Sequence, residues 1–342
     1  MIRWSNEMTS ESRIDELDIL KGIAILLMIL DHCFGWGQEI YIHKVIQSFH
    51  MPLFFIVGGY LWKVHDVKDY FVRKAQTILG VHFNFAVLYS LAFVGLFAIG
   101  KLSGVGIAKR ICALFVFSTK SELTMFASPI WFLQAFFSTC VVFTFLKLNI
   151  EKYYGFVVAA IAVTGIMYSE LCEVVLPFAL EPFCTGILFF YIGYRMKSTD
   201  CFNIILEKKW MIIPAILLWL MLVYLNGCID MRSARYYNLV LYIVSGVLGT
   251  VIFWNIARWI GNCKASEILK HFSIYSISYL CTHYFFVYYG ARVLDKIVPW
   301  TYVGARFILF WCVLGISWVT NKVIIDYAPW LIGRKKPTVV GS

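Results

Sequence analysis

From residue 17 onward the chain alternates long apolar runs with short polar connections. Runs long enough to cross a bilayer fall at 17–37, 45–63, 76–99, 128–147, 154–170, 178–195, 210–227, 237–257, 271–291 and 301–324, which predicts about ten transmembrane helices. A further stretch, Val105 to Ser118, is apolar but short and is flanked by Lys101 and Lys120. It reads as an interfacial or re-entrant segment. The expected fold is an all-α polytopic membrane protein. Its parts are a polar N-terminal tail over 1–16, one membrane domain over 17–326 and a short C-terminal tail over 327–342. The connections are mostly too short to hold a second domain. No internal repeat is visible.

Composition agrees with the pattern. Of 342 residues, 61% are hydrophobic, 18% aromatic and 15% charged, a balance that soluble domains do not have. The net charge of +10 by itself suggests nucleic acid, but its distribution assigns it to topology. With a cytoplasmic N-terminus, 20 of the 30 Lys and Arg fall on the cytoplasmic side, including the runs Arg73-Lys74, Lys208-Lys209 and Arg334-Lys335-Lys336. This excess places both termini in the cytoplasm. The expected partner is the lipid bilayer, with no role for nucleic acid. The first sixteen residues are polar and acidic and no small-residue cleavage site follows, so the first span is expected to be retained.

The ten cysteines form no CxxC pair, and no two of the seven histidines are spaced as ligands on one helix face. No metal is therefore expected. Cys172 and Cys228 both fall in outer loops, where pairing is open to them.

The chemistry lies inside the spans. Ten residues separate Lys21 from His32 on the first helix. Eleven steps of about 100° bring the two side chains within about 20° of one face, about 16 Å apart along the axis. Lys21 then sits near one membrane surface and His32 deep towards the other. Asp31, about 100° away from His32, is expected to pair with another helix. The second span opens Gln47-Ser48-Phe49-His50-Met51-Pro52. Proline suits a first helical turn, so His50 lies at or just before a helix N-terminus, on the same outer side as His32.

These residues carry a resemblance. The run from Arg13 through Lys21 to His32, then Phe49-His50-Met51-Pro52-Leu53-Phe54-Phe55, is similar to the opening of the acyltransferase family three membrane proteins. Within them it looks most like the fucose 4-O-acetylase-like polysaccharide O-acetyltransferases. Pro129-Ile130-Trp131-Phe132-Leu133 and Ser273 to His283 are similar to later segments of that family. One departure is Gly80-Val81-His82-Phe83, where the family places a proline-aromatic pair; it bears on helix geometry or the acceptor.

The resemblance implies transfer of an acetyl or other short acyl group from cytoplasmic acetyl-CoA to a hydroxyl of a cell-surface polysaccharide or lipid-linked glycan, at the inner membrane. It implies His32 as the catalytic histidine, by general base or acyl-histidine chemistry, with His50 as its partner. Lys21, Arg73 and Lys74 are then cations for the coenzyme A phosphates. Asp18, Trp131 and His283 support the site, Trp131 as a donor to the developing oxyanion.

Each residue also has a plainer explanation. Lys21 can snorkel at a helix end, Asp18 can be an N-terminal helix charge, His50 a loop cap, Trp131 an interface anchor and His283 a packing residue. His43, His65 and His271 are set aside as loop or span-end residues. The rival function is a transporter or flippase in which His32, Asp31 and His82 form a proton or substrate pathway.

Overall fold

The computed structural model describes residues 15–35, 41–64, 66–172, 174–199, 209–261, 263–299 and 302–334. Most of the N-terminal tail and the last eight residues lie outside these, as do Arg13, His65 and Lys208. Every regular element among the described residues is a helix, and one isolated antiparallel bridge, Asp230 to Arg235, stands in place of any strand.

Helix α1 runs Asp15–Phe34 and opens on three acids, Asp15, Glu16 and Asp18, which suit the positive end of its dipole. The second apolar run is not one helix. It splits into α2, Tyr41–Gln47, and α3, His50–Tyr60, with Ser48 and Phe49 in a turn between them. Pro52 causes the break, because it has no N–H for the Ser48 carbonyl and its ring would collide with it. Helix α4, Val67–Lys74, is capped by the Asp66 carboxylate, which accepts from the Asp69 N–H at 2.8 Å. It passes through one π-helical turn, Ala75–Leu79, into α5, Gly80–Ala98. That irregular turn directly precedes Gly80, where the sequence departs from the pattern it resembles.

The short segment 105–118 forms α6, Gly104–Phe115, followed by the single turn α7, Ser121–Thr124. A 3-10 turn containing Pro129 then leads into α8, Trp131–Asn149. Helices α9, Tyr154–Leu171, α10, Leu180–Ser198, α11, Ile212–Asn226, and α12, Leu239–Ile260, follow. The run expected at 271–291 is broken at Tyr275 into α13, Ala265–Ile274, and α14, Ser276–Leu294, before α15, Val303–Tyr327.

Among the described residues, five stretches are long and apolar enough to cross a membrane: Val67–Ala98, Ser121–Asn149, Tyr154–Leu171, Leu239–Ile260 and Val303–Tyr327. The remaining expected spans correspond to helices that are shorter, such as α3 and α11, or that carry polar groups, such as α1, α10 and α14. In α1 and α14 those groups face inward: Asp18, Asp31, Ser278 and His283 are all buried. The helices that read least like membrane spans are thus those carrying the polar interior.

Two crossings depend on glycine. A Cβ on Gly22 would overlap the Leu269 carbonyl, which sets α1 against α13. Gly59 and Gly193 play the same part between α3 and α10, where a Cβ would meet the carbonyl oxygens of Phe190 and Ile56 respectively. Close backbone approach of this kind holds membrane helices together where no hydrophobic drive exists. Gly193→Ala must push α3 and α10 apart, since the obstacle is backbone. It is expected to cost about 2–3 kcal/mol, as overpacking does. Gly95, with nothing within 4 Å of its Cβ position, is the control: Gly95→Ala should leave thermal unfolding in detergent unchanged or slightly raised. Equal melting of the two variants would rule out the tight crossing.

Candidate active site

At one end of the bundle a cavity of about 350 Å³ opens between α1, the α2–α3 turn, the start of α8 and the segment 227–238. His32, His50 and Trp131 all line it, together with His43, Gln47, Ser128, Asp230, Arg232, Arg235 and Tyr284. The volume is at the lower end of ligand pockets, which run from roughly 300 to 1,000 Å³.

His32 stands in the last turn of α1 and is half-buried. Its ring lies 5.2 Å from that of His283, centroid to centroid, and 4.9 Å from Tyr284 in an edge-on contact. The Arg306 guanidinium reaches the Phe34 carbonyl at 3.4 Å, a cation at the negative end of α1. His50 is buried in the first turn of α3, and its Nδ1 is 2.9 Å from the Ile46 carbonyl oxygen. A carbonyl oxygen only accepts, so Nδ1 carries the proton and Nε2 presents a lone pair. His283 is held alike, with Nδ1 2.7 Å from the Tyr279 carbonyl oxygen, and its buried Nε2 has no partner among the described residues. His32 and His50 line the cavity, whereas His283 does not and reaches the site only through its ring contact with His32; His50 and His283 share a tautomer fixed by the helix backbone.

Asp31, fully buried, is not itself in the cavity wall and anchors α2 to α1. One carboxylate oxygen is 2.7 Å from His43 Nδ1, and the other accepts from Gln47 Nε2 at 2.5 Å. The expected partner on another helix is therefore α2. His43, set aside in the sequence, is both the ion partner of Asp31 and part of the cavity wall. Burial lowers the affinity of His43 for its proton, but the Asp31 hydrogen bond, with Cys228 alongside, outweighs this and raises its pKa to about 10.

The remaining expected residues lie elsewhere. Lys21 Nζ is 2.7 Å from the Asp18 carboxylate, and Asp18 also accepts from Ser273 Oγ at 2.9 Å, which ties the start of α1 to the end of α13. Arg73 and Lys74 sit on α4, where Lys74 lies over the Tyr70 ring and Arg73 borders a groove with Asp66 and Asp69. No hydrogen bond, ion pair or ring contact among the described residues joins these two to Lys21. His82 donates from Nδ1 to the Ile130 carbonyl at 3.2 Å, and neither it nor Asp31 is in the cavity wall with His32. Cys172 and Cys228 are free thiols. No group of three or more His, Cys, Asp or Glu among the described residues is placed to hold a metal ion.

Segment 227–238 is absent from the sequence-based site. It folds back on itself through the mutual backbone hydrogen bonds of Asp230 and Arg235, each 3.0 Å, and covers the cavity with charge. The clue available in the sequence was the pair of arginines, Arg232 and Arg235, in the short connection between two apolar runs.

The chain matches the acyltransferase domain family over residues 14–322. No curated protein and no solved structure matches it.

Proposed function

The chain belongs to the acyltransferase family that it matches over nearly its whole length, and on that premise we propose that it moves an acetyl group from cytoplasmic acetyl-CoA to a hydroxyl of a cell-surface polysaccharide or its lipid-linked precursor. It is a multi-pass membrane enzyme, and the reading assigns it to the inner membrane. The observation that carries the reading is the meeting of His32 and His50 on one cavity, at the end of α1 opposite Lys21.

In this mechanism the acceptor sugar enters the cavity and the thioester arrives beside His32. The acceptor oxygen attacks the thioester carbonyl carbon as its proton passes to His32, and His32 returns that proton to the sulfur as the C–S bond breaks, releasing coenzyme A as the thiol. His50, with its bare Nε2, orients the acceptor hydroxyl. The Trp131 indole, at the cavity wall, is the donor assigned to the oxyanion. A two-step course through an acyl-histidine uses the same residues. The distance along α1 from Lys21 to His32, about 16 Å by helix rise, suits a pantetheine arm whose nucleotide stays at the membrane surface.

Lys21 gives the test. Lys21→Ala removes a cation from the donor's phosphates and should raise the KM for acetyl-CoA about tenfold with kcat little changed, a charge-assisted contact being worth about 1.5–3 kcal/mol. Initial rates in isolated membranes measure this. An unchanged KM would remove Lys21 from donor binding.

A further inference from the structure

The charges of the cavity mouth do not cancel. Asp230 is the only carboxylate in the cavity wall among the described residues, and it is fully engaged. It accepts from Arg232 Nη2 at 2.9 Å, from the Arg232 backbone N–H at 3.0 Å and from Ser233 Oγ at 2.7 Å. The cation of His43 is balanced by Asp31. Arg232 spends its other terminal nitrogen on Ser128 Oγ at 2.9 Å, but its buried Nε has no partner. Arg235, in the same wall, is exposed, and its guanidinium has no partner among the described residues. One guanidinium charge and one buried N–H donor are therefore left over on the face that receives the acceptor.

The segment that carries them is fixed. Besides the Asp230–Arg235 bridge, Tyr236 is buried, accepts from Thr185 Oγ1 at 2.8 Å and stacks on Tyr242 with ring centroids 5.0 Å apart. Asn238 donates its backbone N–H to Asn226 Oδ1 at 2.8 Å. Both arginines are thus presented from a tethered hairpin over His32 and His50. An unpaired guanidinium suits a planar or tetrahedral oxyanion, which it can grip with two parallel N–H donors. Leaving a buried Arg232 Nε unsatisfied is costly unless a ligand completes it.

We propose that Arg235, with Arg232 Nε beside it, binds a carboxylate or phosphate of the acceptor, so that the sugar unit acylated is an acidic one. This rests on the acyl-transfer reading above and names the acceptor class for it. Arg235 sets which sugar is seated, and His32 acts on its hydroxyl.

The test uses a strain lacking the gene, complemented with wild-type, Arg235→Gln or Arg235→Lys protein at equal membrane abundance. The O-acyl groups of its surface glycan are mapped by NMR. Acyl groups restored by the wild type should lie on sugar units bearing a carboxylate or phosphate, and the phosphorus couplings tell which of the two. In isolated membranes, the initial rate of label transfer from acetyl-CoA to that glycan should fall about tenfold or more in Arg235→Gln, mainly through acceptor KM, with Arg235→Lys between the two. Acyl groups on neutral units, or an unchanged rate in Arg235→Gln, would overturn the acidic acceptor and leave the acyl-transfer reading standing. No acyl group lost on deletion would overturn that reading, and this inference with it.

Discussion

His32→Ala is expected to abolish acyl transfer, by roughly 10³-fold or more, while the protein still inserts and accumulates. General base catalysis contributes about 10²–10⁴-fold, and a histidine that also carries the acyl group contributes more. The side chain is well placed for a selective effect. It is half-buried at the cavity edge and packs against the rings of His283 and Tyr284. Its removal breaks no ion pair among the described residues. Acetyl content of the surface glycan and the amount of protein in the membrane are the two readouts. Normal acetylation in the variant would eliminate His32 as the catalytic residue.

Asp31→Ala is expected to damage both stability and activity, for a different reason. Its carboxylate is fully buried and holds His43 and Gln47, and through them α2. Removing one member of a buried pair costs about 3–5 kcal/mol, because the other is left uncompensated. The next consequence reaches the site, since α2 carries the Ile46 carbonyl that fixes the His50 ring. A displacement of about 1 Å in a reacting group can cost about 10²-fold in rate, which is the loss expected here. The same pair predicts a pH dependence. His43 has a pKa raised to about 10, above the usual value of about 6.5. The stabilisation is therefore complete below about pH 6.5 and fades as pH rises towards 10. Melting temperature followed over that range should decline in the wild type and decline less in His43→Gln. Parallel curves would show that the pair contributes nothing.

Much of this site was legible in the sequence because it depends on local rules. The ten-residue spacing puts Lys21 and His32 on one face of one helix, and Pro52 marks the start of α3 and so the position of His50. Trp131 follows Pro129 at another helix start. The position of Asp31 off the His32 face foretold a partner elsewhere. What remained hidden depends on tertiary contact. Nothing local says that residues 227–238, about two hundred positions beyond His32, return to cover it, or that His43 closes on Asp31. The short helix α2, Tyr41–Gln47, before the turn at Ser48 and Phe49 was not foreseen, because nothing local separates it from the apolar run that follows. Among the described residues, three of the five stretches that satisfy length and apolarity, Val67–Ala98, Tyr154–Leu171 and Val303–Tyr327, are mostly exposed on the bundle surface, whereas α1 and α14 carry buried polar groups such as Asp31 and His283.

The central claim is that this cavity joins an acetyl group from coenzyme A to a sugar hydroxyl through His32. The most direct measurement incubates membranes holding equal amounts of wild-type or His32→Ala protein with acetyl-CoA labelled in its acetyl group, and follows label in the glycan together with free coenzyme A thiol. The wild type should release one thiol for each acetyl group gained by glycan, and His32→Ala should do neither. Equal labelling by the two proteins, or no labelling of glycan by the wild type, would contradict the account.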